Sequence, residues 1–155
     1  MKELKNIIQE KLTISKNIKK HYNYKPKNKI ELIEIISKLI DKRGDNSDFN
    51  DIDTSEITDM SMLFFDLQTF NGNISGWNVS NVKDMNNMFY NCSKFNCDIS
   101  NLDVSKVENM CNMFEQCKVF NCNLSNWDVR NVKMMEDIFY KCPLENKPPK
   151  WYKKS

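Results

Sequence analysis

The sequence predicts an α/β fold: a solenoid of four 25-residue coils, each a short strand followed by a short helix, with a helical cap at the N-terminal end. Three observations carry this. The segments beginning at Phe70, Phe95 and Phe120 match position by position, and a degenerate copy precedes them, with Met60, Leu63 and Phe64 in the places of Met85, Met88 and Phe89. Apolar residues alternate at the start of each copy, and they recur at helical spacing at its end. A unit this small buries its apolar face only against its neighbours, so the copies must stack.

Three segments follow: a helical cap over residues 1–44, the repeats over 45–144, and a closing segment over 145–155. In the cap, Leu4, Ile7, Ile8, Ile14 and Ile18 predict a helix over about residues 2 to 20. His21 to Lys27 breaks it, with Pro26 fixing an extended turn. A second helix then opens at Asn28, where Glu31 completes an Asn-x-x-Glu box, and ends at Gly44. Its stripe of Ile and Leu needs a surface, and the open end of the stack supplies one.

Within the repeats, Phe70, Gly72 and Ile74 point inward and Asn71, Asn73 and Ser75 outward, as a strand of period two. Trp77 and Val79 continue inward. Val82, Met85, Met88, Phe89 and Cys92 follow helical spacing, which predicts a helix of about two turns closing each coil. Pro148 and Pro149 then break the pattern; without N–H groups they end the stack.

The chain has no Ala and abundant Asn, Lys and Ile, the mark of an AT-rich coding sequence, which would account for much of the Asn. Its net charge of +2 conceals a division along the chain. Residues 1–44 carry 12 bases against 5 acids, the repeats 7 against 15, and the last 11 residues 4 against 1. The basic head could contact nucleic acid or an anionic surface, or simply present a solvated helix face. No apolar stretch is long enough to span a membrane, and the start lacks the apolar core of a secretory signal. Cytoplasmic residence is the expectation from the sequence as written.

The phrases DISNLDVSKVENMCNMFEQC and NLSNWDVRNVKMMEDIFYKC resemble the BspA-like leucine-rich repeats of bacterial surface proteins, in the variant found in mycoplasma lipoproteins. The preceding YKPKNKIELIEII and DIDTSEITDMSMLF are similar to the segment that introduces such repeats, so the resemblance covers about residues 22 to 144. It implies a leucine-rich-repeat-like solenoid used for binding, without catalytic residues, on the cell surface or secreted.

No enzyme motif is present: no phosphate loop, no nucleophile elbow, and a single histidine, His21. Neither a cofactor nor a metal is expected. Cys92, Cys117 and Cys142 form one column and Cys97 and Cys122 another, which repetition explains without zinc; both are expected to pack as reduced thiols. Met60, Met85, Met110 and Met135 are expected in the core likewise.

The candidate binding residues are the outward ones: Asn71, Asn96 and Asn121 in one column, and Asn73, Asp98 and Asn123 in the next. The first could be an Asn ladder joining the coils or a recognition surface; the second, which varies in charge, is expected to recognise a partner, a protein or a glycan by the character of the face, with a protein as the first expectation. Binding of nucleic acid or an anionic surface through the Lys-rich N-terminal helices is the alternative.

Overall fold

The computed structural model describes residues 21–153. The helix expected over residues 2 to 20 lies outside them. Helix α1, Lys29–Arg43, starts where the Asn28 side chain accepts from the Glu31 N–H, while the Glu31 carboxylate takes the Lys27 N–H at 2.9 Å. It ends at Gly44, whose φ of 85° is the left-handed geometry that favours glycine, with its N–H on Ile40 C=O. Leu32, Ile36 and Leu39 are buried in the same core as Phe49, Met60 and Phe64 of the first repeat. Lys29 fastens one end of α1 to Asp59, and Arg43 grips the Asp51 carboxylate through two bonds of 3.0 and 3.1 Å.

The strand-plus-short-helix coils of an α/β, leucine-rich-repeat-like solenoid are not what this chain forms. Among the described residues α1 is the one α-helix; the repeats hold isolated parallel bridges and no sheet. The expected helix over Val82 to Cys92 is replaced by consecutive tight turns. Met88, Tyr90 and Cys92 donate to carbonyls three residues back, whereas Met85, Asn87, Phe89 and Asn91 donate to Asn109, Cys111, Met113 and Glu115 in the following repeat. Alternate amides thus serve the turn and the neighbour. A helix is ruled out by Asn87 and Asn91, which have φ of 54° and 55°.

The pattern repeats at Met62 and Asp66, Asn112 and Gln116, and Asp137 and Lys141, all with positive φ. Asn and Asp tolerate this region better than other side chains, so five of the eight positions suit it and three do not. Lys141→Gly is therefore expected to stabilise the chain by about 0.5–1 kcal/mol in urea titration, because relief of left-handed strain exceeds the added chain entropy. Asn91→Gly should gain nothing, since Asn91 also bonds Asp66 at 2.6 Å. A loss of stability in Lys141→Gly would refute the strain assignment.

The expected strand fares differently. Phe70, Gly72, Ile74, Trp77 and Val79 are buried and Asn71, Asn73, Ser75 and Asn78 exposed, so the alternation is real. In this alternating stretch a backbone ladder joins the first two repeats alone among the described residues, where Asn71 and Asn73 donate to Asp45 and Ser47 C=O and Phe49 donates to Asn73 C=O. Elsewhere, side-chain oxygens take over. Eleven Asx turns, such as Asp84 to Asn86 and Asp103 to Ser105, satisfy local N–H groups. The Asn and Asp content is thus turn chemistry, beyond what coding bias explains.

Two columns of rings form the core. Phe64, Phe89, Phe114 and Phe139 stack with centroids 5.4, 5.6 and 6.0 Å apart, and Phe70, Phe95 and Phe120 lie beside them at 6.0 and 5.6 Å. Trp77 and Trp127 bury their rings and give their indole N–H to Phe49 and Ile99 C=O of the preceding repeat. Trp151, one residue out of that register, does the same to Leu124 C=O, and Tyr152 packs edge-on against Phe139.

Candidate functional site

All six outward residues predicted from the sequence are exposed, and the stack aligns them in two columns on one face. The Asn71 Oδ1 accepts the Asn96 N–H at 2.9 Å and the Asn96 Oδ1 accepts the Asn121 N–H at 3.1 Å. This column is a ladder that joins repeats. Its Nδ2 groups point no bond at the protein, and Asn121, at the end, has its whole amide free among the described residues.

In the second column each side-chain oxygen closes an Asx turn: Asn73 to Ser75, Asp98 to Ser100 and Asn123 to Ser125. The hydroxyl and backbone N–H of Ser100 hold the Asp98 carboxyl below its ordinary value, with a further contribution from the Cys122 thiol, so this group is anionic at neutral pH. The face therefore presents amide donors around one carboxylate.

Two crevices open on it. One, of about 280 Å³, is lined by Asn96, Asp98, Ser100, Asn121, Cys122 and Asn123. The next, of about 490 Å³, lies between Asn121–Ser125 and a wall made by Pro143, Leu144 and Lys147–Pro149. Sequence reasoning missed that wall as part of a site. Its signal was present in Pro148 and Pro149, read only as an end to stacking.

The thiols divide by column. Cys92 and Cys117 donate to Phe64 and Phe89 C=O at 3.0 Å inside the core, and burial pushes Cys92 up to about 12 and Cys142 up to about 11. Cys97 and Cys122 are only half-buried, and each reaches a side-chain oxygen of the face, on Asn73 and Asp98. Burial raises both. All six cysteines are free, and no group of three or more metal-binding side chains converges among the described residues.

Elsewhere the described surface carries an apolar groove between α1 and the first repeat, lined by Ile33, Ile36, Ile40, Met62, Phe65 and Leu67. Among the described residues no helix is long and apolar enough to cross a membrane. No curated protein and no solved structure matches the chain. A family model does match, over residues 34–151, from within α1 to Trp151. The chain belongs to that family, DUF285, described as a Mycoplasma protein of unknown function.

Proposed function

We propose that the protein is a noncatalytic repeat module whose amide-lined face binds a partner protein. The carrying observation is the alignment of Asn73, Asp98 and Asn123 beside two adjoining crevices on an exposed face. A stacked array suits such a role because its face repeats at fixed intervals and varies by single side chains. The resemblance of its repeats to those of BspA-like surface proteins supports the same reading.

The two expected compartments differ in redox state. Six free thiols, three of them buried, support a reducing interior; the BspA-like resemblance supports surface display.

Because Oδ1 of each second-column residue closes a turn, the informative substitution keeps that oxygen. Asn73→Asp, Asp98→Asn and Asn123→Asp together reverse the charge pattern and preserve every acceptor. The triple variant is expected to fold as the parent does by circular dichroism and to bind a partner captured on the intact chain at least about tenfold more weakly. Unchanged affinity would sink the reading. If affinity instead collapses between low and moderate salt and on removal of residues 1–20, the Lys-rich head is the binding surface.

A further inference from the structure

The larger crevice has a backbone edge. In the ladder between the first two repeats, Asn73 sends both its N–H and its C=O to the preceding repeat, at 2.9 Å to Ser47 and 3.0 Å to Phe49. Alternate residues of an extended segment face opposite neighbours, so Gly72 and Ile74 face the following repeat. By register, Cys122 and Leu124 of the last repeat face away from the stack, into the crevice.

Residues 147–149 stand across the crevice, and Pro148 and Pro149 have no N–H to offer. The Leu124 C=O is taken by the Trp151 indole at 2.8 Å. The N–H and C=O of Cys122 and the N–H of Leu124 bond nothing among the described residues. Leu124 and Leu144, both buried, supply an apolar floor, and exposed Lys147 supplies a cation at the rim.

We propose that this slot receives an extended peptide segment of a partner protein, added as a strand to the edge at Cys122 and Leu124. One apolar side chain sits over Leu144 and Pro149, and a neighbouring Asp or Glu faces Lys147. Main-chain bonds supply the affinity and the floor the selectivity, as in other strand additions. Ser47 and Phe49, the first-repeat counterparts of Cys122 and Leu124, pair in this way with Asn73, whereas their counterparts in the second and third repeats carry no such bonds among the described residues. The inference rests on the protein-binding reading and narrows it to one site and one ligand class.

The test is selection of displayed random dodecapeptides on the intact chain, followed by fluorescence anisotropy with the enriched peptides. These are expected to pair an apolar residue with Asp or Glu. They should lose at least about tenfold in affinity for Lys147→Glu, for Ser125→Trp, which narrows the slot from its exposed rim, and on N-methylation of the pairing amide. No enriched peptide, or peptides indifferent to all three changes, overturns the slot. If the slot changes are silent while the Asn73, Asp98 and Asn123 exchange abolishes partner capture, the face stands and the slot falls; if that exchange is silent too, both fall.

Discussion

Phe114→Ala is expected to lower the free energy of unfolding by about 3–5 kcal/mol, the usual cost of emptying a buried phenylalanine site. The ring is fully buried and has neighbours on three sides: Phe120 at 4.3 Å, Phe89 at 5.6 Å and Phe139 at 6.0 Å. Stacking this close is held on both faces, so the cavity would have little to collapse into it. An array of repeats is stabilised through its nearest-neighbour interfaces, and a gap in the third repeat weakens two of them. Urea titration followed by tryptophan fluorescence measures the loss. Phe65→Ala is the control, since that residue is 39% exposed and among the described residues its ring stacks on Tyr90 alone. If Phe114→Ala costs under about 1 kcal/mol, or no more than the control, the ring columns do not hold the stack together.

What could be read from the sequence was which side chains face inward. Phe70, Ile74, Trp77, Val82, Met85, Phe89 and Cys92 are all buried, as their spacing implied, whereas Met135, Cys97 and Cys122, expected inward likewise, are only partly so. Backbone conformation was hidden by a coincidence of periods. Met85, Met88, Phe89 and Cys92 have the spacing of a helical stripe, and linked three-residue turns return to the core at similar intervals. The distinguishing residues were Asn87, Asn91, Asn112 and Asp137, which accept positive φ where a helix interior would disfavour them. Reading the Asn content as coding bias concealed that signal.

The candidate face was legible to a similar depth. Alternation identified its exposed residues, but which of their atoms were already committed depended on bonds between repeats. The Asn71 Oδ1 pairs with the Asn96 N–H, 25 positions away, and no local pattern reveals it. The crevice walls depended on where residues 143–149 cross the last repeat, which proline placement alone does not specify.

One packing relation within the repeats gives the second large effect. A Cβ added to Gly72 would lie 2.4 Å from one Phe49 ring carbon and 2.6 Å from another, with Phe70 at 2.9 Å. The equivalent pairs are Ile74 with Cys97 and Ile99 with Cys122, so where Ile replaces Phe in one repeat, Cys replaces Gly in the next. Gly72→Cys alone is expected to cost about 1–3 kcal/mol through overpacking. Phe49→Ile alone should also destabilise, by leaving a void. Together they reproduce the combination that the later repeats use, and the double variant is expected to be more stable than the two separate losses sum to, by about 1–2 kcal/mol. A double-mutant cycle in urea reads this coupling directly. Losses that add to within about 0.5 kcal/mol would show that the Phe49 ring moves aside freely, and that the two volumes are not matched across the first repeat boundary.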